Sequence, residues 1–206
     1  MNSNAFKSLK ESIDNLIKKI PPYQLEDGTP IIEFDETQKD LYTLVVILSH
    51  AEIESYYEEV ADEIIHISGN KYFDDSVIDS RLAHLLYRLY RVKDFNTKLS
   101  QLCDKKINNY INEVTDFYIK NVIEENHGTS SEKIYWIFYA IGLEKEYQDY
   151  SDMVDYYIEE IKNRRGTFVH KSLKYRIKEE IKPKDLHTQL VTILKEIEAF
   201  DKQIMN

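Results

Sequence analysis

The chain has 206 residues with 16 Tyr but only 5 Gly and 4 Pro, a length that suits one domain with a real core and a composition that favours long helices over strands and turns. Acids outnumber bases 37 to 27, for a net charge of −10, which argues against a surface coated for nucleic acid. No apolar run reaches the roughly 20 residues that span a bilayer, the N-terminus lacks a signal-peptide core, and the single Cys103 has neither a disulfide partner nor matching metal ligands; the expectation is a cytoplasmic protein with no membrane partner, metal or cofactor.

Residues 4–20 read as an amphipathic helix, with Phe6, Leu9, Ile13, Leu16, Ile17 and Ile20 at helical spacing, stopped by Pro21 and Pro22. The connector that follows has room for a short extended piece at 31–34. From 37 to 67 the stripe Val46, His50, Ile53, Tyr57, Val60, Ile64 and Ile67 steps by four and three, which predicts a long central helix ended by Gly69 and Asn70. Asp74 or Asp75 is suited to cap the next helix, which sets Val77, Leu82, Leu85, Leu86 and Leu89 against a basic face of Arg81, Arg88 and Arg91 with His84 nearby. Another segment opens at Asp94 or Asn96 and carries Leu99, Leu102, Ile107, Ile111, Val114, Tyr118 and Val122 to a break at 126–128. Residues 131–143 are apolar nearly all round and belong in a core or an interface, with Gly142 closing them. Ser151 is a good N-cap for a helix whose Val154, Ile158, Ile161, Arg165 and Phe168 share one face if it survives Gly166. A last helix starts at Asp185 after Pro183, with Leu186, Leu190, Ile193, Ile197, Phe200 and Ile204 in register. About seven helices in one antiparallel, all-α bundle are expected.

The charge is polarised along the chain. Residues 162–178 hold Lys162, Arg164, Arg165, Lys171, Lys174, Arg176 and Lys178 and no acid, just after an acid-rich stretch at 144–160. Within the basic stretch Arg165 lies five residues before His170. Histidine titrates near pH ~6.5 and moves protons to or from a ribose 2′-OH or a leaving oxygen, while arginine neutralises charge developing on the phosphorus; such a pair needs no metal. Five residues of ideal helix leave two positions about 140° apart, so either the backbone bends at Gly166 or two subunits supply the site. Without chemistry, Arg164 and Arg165 simply complement a helix C-terminus. His50 and Glu54, four apart on the central helix, are placed to hydrogen-bond and line a cleft, although a satisfied core histidine accounts for His50 as well. Tyr175, between Lys174 and Arg176, is suited to stack on a base.

This arrangement resembles the HEPN superfamily, whose signature is Arg, usually a polar residue, three to five further residues, then His, at the end of the penultimate core helix. LYTLVVILSHAEIESYYEEVADEII is similar to the long early helix of HEPN families of the RiboL-PSP type, FYAIGLEKEYQDYSDMVDYYIEEIKNRRGTFVHKS to their short helix, spacer and motif helix, and PKDLHTQLVTILKEIEAF to their closing helix. The likeness covers about 37–202, giving an N-terminal helix and connector at 1–36 and a HEPN-like domain at 37–206. It implies a metal-independent endoribonuclease that leaves a 2′,3′-cyclic phosphate, with Arg165 and His170 catalytic, Arg164, His50 and Glu54 auxiliary, and Lys162, Lys171, Lys174, Tyr175, Arg176 and Lys178 on RNA. It also implies a homodimer acting in prokaryotic antiviral defence or a toxin–antitoxin module, with an antitoxin or other defence protein as partner. Gly166 departs from the pattern, which has Asn, Asp or His beside the arginine. A non-catalytic module binding RNA, nucleotide or protein, and a helical interaction protein alike only in architecture, remain the alternatives.

Overall fold

The computed structural model describes residues 1–25, 28–31, 33–89, 107–125, 128–170 and 182–205, without the side chains of Asp152, Met153 and His170. Among the described residues there are seven α-helices, one π-helical turn and no strand: α1 Asn4–Ile17, α2 Glu36–Asp75, α3 Ser80–Leu89, α4 Ile107–Tyr118 with the π turn Ile119–Ile123, α5 Ser131–Ala140, α6 Glu144–His170 and α7 Pro183–Ile204. The fold is all-α, as the periodicity predicts.

Helix α1 starts where the Ser3 side chain accepts from Phe6 N at 2.9 Å, an N-cap that satisfies one of the first-turn amides. Phe6, Leu9, Ile13 and Leu16 bury its apolar face against α2 and α7, so the N-terminal helix belongs to the same core as the rest. Where the sequence left room for a short extended piece at 31–34, the described residues Ile31, Glu33 and Phe34 lie in no strand; an isolated bridge joins Gln24 and Pro30, with Ile31 N donating to Tyr23 O at 3.0 Å beside it.

Helix α2 opens on a capping box in which Asp35 and Gln38 satisfy each other's backbone amides at 2.8 and 2.9 Å. It does not end at Gly69 and Asn70 but runs to Asp75, closing on Ser76 in the left-handed region at φ 59°. A helical glycine costs about 1 kcal/mol. Continuation offsets this, because Tyr72 packs against the core and donates to Asn108 at 2.9 Å. Asp74 and Asp75 are therefore the last residues of α2, and Asp79 caps α3 instead, accepting from Leu82 N at 3.0 Å and from Ser68 Oγ at 2.9 Å; Val77 lies exposed ahead of that helix and not on its apolar face. The segment expected to open at Asp94 or Asn96 lies outside the described residues as far as 106, and Ile107, expected on its apolar stripe, is exposed.

Gly142 ends the α5 segment at φ 74°, and a Cβ there would overlap the His84 ring, so both conformation and space demand glycine. Helix α6 then begins at once. Ser151 is not its N-cap but lies inside it, its hydroxyl bonded back to Gln148 O at 3.3 Å; Glu144 and Glu146 occupy the first turn, where negative charge complements the helix dipole. Helix α7 likewise starts before Asp185, with Pro183 at its first turn.

Helices α2 and α6 pack antiparallel: the Tyr42 and Phe168 rings lie 6.1 Å apart at one end, and Tyr57 and Tyr150 share a 2.8 Å hydroxyl contact toward the other. Between them and α7 lies an aromatic core in which Phe200 stacks on Tyr150 at 4.5 Å and meets Phe138 edge-on at 5.1 Å. Edge-on and offset contacts of this kind add to the burial energy of the rings. The resulting rigid pair α2 and α6 carries the basic motif at its end.

Candidate functional site

Helix α6 passes through Gly166 without a break and ends at His170. Val154, Ile158, Ile161 and Phe168 are buried on one face, and Arg165, half-buried, falls in phase with them, as expected. Position 170 lies about 140° further round the axis and ~7.5 Å further along it. The backbone therefore does not bend to bring the two positions together.

Arg164, one residue earlier, serves the packing of the bundle. Its guanidinium donates to the Tyr42 hydroxyl at 2.9 Å and to Glu160 Oε1 at 3.1 Å, and Gln189 of α7 donates to the other oxygen of Glu160. One arginine thereby ties α2, α6 and α7 together, a use its position beside the motif does not suggest. Tyr42, Glu160 and Gln189 carry no sequence signal that marks them for this network. Burial raises the Tyr42 phenol above its usual value, with the Arg164 charge opposing.

Arg165 acts on a different neighbour. His50 of α2 is 3% exposed, with Nε2 bonded to Thr129 Oγ1 at 2.9 Å and Nδ1 lacking a protein hydrogen-bond partner. The Glu54 carboxylate lies 3.7 Å from Nδ1, an ion-pair distance and not the hydrogen bond their spacing suggested. Burial lowers the His50 pKa below the ordinary 6.5, Arg165 lowers it further, and Glu54 pulls it back. Residues 115 positions apart in sequence thus meet electrostatically. Thr129, which fixes the ring, sits in the turn before α5 and was not legible as a partner. Lys162 pairs with Glu159 at 2.7 Å. Lys171, Lys174, Tyr175, Arg176 and Lys178 lie outside the described residues, and so does Arg91.

The second basic face has its own use. Arg81 donates to Gly142 O at 3.0 Å and lies 3.9 Å from Glu146, while both Nη atoms of Arg88 bond Glu144. These charges hold α3 to the start of α6. Among the described residues no three His, Cys, Asp or Glu side chains gather as a metal site, and no helix is long and apolar enough to cross a membrane.

The lowered pKa of His50 in the folded chain has a measurable consequence. The unfolded chain takes up a proton near pH ~6.5 and the folded chain resists it, so below that pH the unfolded state binds more protons. Stability falls as pH drops from about 6.5 and levels once the folded-state pKa is passed. Urea midpoints from pH 7.5 to 5 will show a shallower acid slope in His50→Gln than in the parent; equal slopes would remove His50 from the acid response.

The chain matches the RiboL-PSP-HEPN family model over residues 4–206, which includes the first helix that the sequence likeness over 37–202 left out. No curated protein and no solved structure matches the chain.

Proposed function

We propose, for a chain that belongs to the RiboL-PSP-HEPN family and so to a group with nuclease-type, RNA-related roles, that it is a metal-independent endoribonuclease. The reading rests on one observation: Arg165 and His170 lie in the last turns of an uninterrupted α6 that packs on α2, where the Arg165 charge acts on the buried His50. The ribose 2′-OH attacks phosphorus and loses its proton, the 5′-oxygen leaves and gains one, and the product is a 2′,3′-cyclic phosphate. His170 carries the proton and Arg165 stabilises the charge on phosphorus. Lys162, Lys171, Lys174, Tyr175, Arg176 and Lys178 provide the RNA surface.

Because positions 165 and 170 diverge around one helix, the site takes Arg165 from one copy and His170 from a second in a C2 homodimer. Helix α2 offers a surface for this contact, since Leu41 and Leu44 on its outer side are exposed and Leu48 is only partly buried, next to the end of α6. The biological setting in this reading is a prokaryotic defence or toxin–antitoxin module whose partner protein restrains the nuclease. Gly166 favours a second reading, a non-catalytic module on the same surface, because it removes the side chain that the family pattern places beside the arginine. Purified protein incubated with mixed RNA in EDTA separates the two: cyclic-phosphate ends support the nuclease, and binding without cleavage supports the module.

A further inference from the structure

A second site stands apart from the motif. The end of α3, the π turn and α5 enclose a cleft of about 410 Å³. Glu144, bonded to Arg88 at its edge, is separated from Arg165 by about 30 Å of α6 at ~1.5 Å per residue.

The cleft has an aromatic wall. Trp136, half exposed, meets Tyr139 edge-on at 5.2 Å, and the Arg88 guanidinium covers Tyr139 at 3.9 Å. Arg88 is already neutralised: both of its Nη atoms bond Glu144, whose carboxyl that contact holds below the usual range. The opposite wall is the π turn, closed by Glu124 N donating to Ile119 O at 2.8 Å. Such turns are rare and concentrate where side chains need particular placement. This one brings Asn121 and Glu125 to the cleft. Asn121 spends one amide N–H on Phe117 O at 2.9 Å, which leaves it one N–H and its oxygen, while the ionised Glu125 supplies only acceptors.

A ligand that fits must therefore bring a planar ring for Trp136 and adjacent N–H donors for a carboxylate, and must keep phosphate away from an acidic rim. Among the common bases only guanine presents two neighbouring donors, N1–H and N2–H, on one edge; adenine and cytosine mix donor with acceptor, and uracil flanks its single N–H with carbonyls. We propose that this cleft binds a guanine-type base, its ring on Trp136 and its N1–H and N2–H donors on Glu125. The assignment does not depend on the ribonuclease reading.

Trp136 is the single tryptophan of the chain, so its fluorescence, corrected for absorption, reports the site directly. Guanosine is expected to quench it saturably below millimolar concentration, with adenosine showing no saturation in that range. Inosine, which lacks the N2 amine, and the exposed-site variant Glu125→Gln are each expected to weaken binding about tenfold or more, the loss of one hydrogen bond to a charged group. A trinucleotide with central guanine that binds more than about tenfold tighter than guanosine identifies a strand as the source, and equal affinity identifies the free nucleoside. Linear quenching by guanosine, equal binding of adenosine, or unchanged affinity in a folded Glu125→Gln variant each overturns the proposal.

Discussion

His170→Ala will lower RNA cleavage at saturating substrate by about 10²- to 10⁴-fold, the contribution of a positioned acid or base, while leaving RNA affinity nearly intact. The separation follows from charge: an ordinary imidazole is mostly neutral near pH ~7.5 and adds little to phosphate attraction. Arg165→Ala will lose both rate and affinity. It will also raise the His50 pKa, since the Arg165 charge is one cause of its depression, and imidazole NMR reads that shift whether or not RNA is present. Mixing the two variants tests the shared site. If each site takes Arg165 from one copy and His170 from the other, a heterodimer of the two variants keeps one intact site of two. Random exchange then restores about a quarter of the parent activity from two inactive proteins. No recovery, with exchange confirmed, would mean that each chain builds its own site and that the α6 end rearranges on binding RNA.

How far the sequence spoke depended on whether the deciding force was local. The apolar stripes of α1, α2 and α7 were legible because burial of one face selects residues at helical spacing, although Ile67, placed on the α2 stripe, is exposed, and Gly142 was legible because its left-handed backbone excludes side chains. Gly69 and Asn70 looked like a stop, yet their cost of about 1 kcal/mol is smaller than what Tyr72 gains beyond them. Ser151 looked like a cap, but Tyr147 and Tyr150 before it are buried, and that burial extends the helix back to Glu144. At the site, helical phase put Arg165 on the packed face. What phase cannot supply is the partner across the interface, so Tyr42 for Arg164 and Thr129 for His50 emerge only when α2, α6 and the turn before α5 are assembled.

Asp201→Ala will destabilise the fold by about 3–5 kcal/mol, near the upper end for one substitution. The Asp201 carboxylate is fully buried on α7 and joins three elements. One oxygen accepts from Ser3 N at 2.8 Å, and the other accepts from the Ser3 hydroxyl and from the Tyr56 hydroxyl of α2 at 3.3 Å. Burial, with the Asp201 charge beside it, keeps the Tyr56 phenol protonated far above its usual range, so it remains a donor at all working pH. Removing the carboxylate strands the Ser3 amide, the Ser3 hydroxyl and the Tyr56 hydroxyl in the interior, and a stranded donor costs about 1–3 kcal/mol. Tyr56→Phe removes a donor together with its need for an acceptor and will cost only about 1 kcal/mol. Ser3→Ala loses the α1 cap as well, for about 1–2 kcal/mol. The Ser3→Ala, Asp201→Ala double variant will cost less than the sum of the singles, because the first change already removes part of what the second strands. Urea unfolding of the set decides it: if Asp201→Ala costs under about 1 kcal/mol, the desolvation of the carboxylate cancels its bonds, and the clamp between α1, α2 and α7 fixes geometry without adding stability.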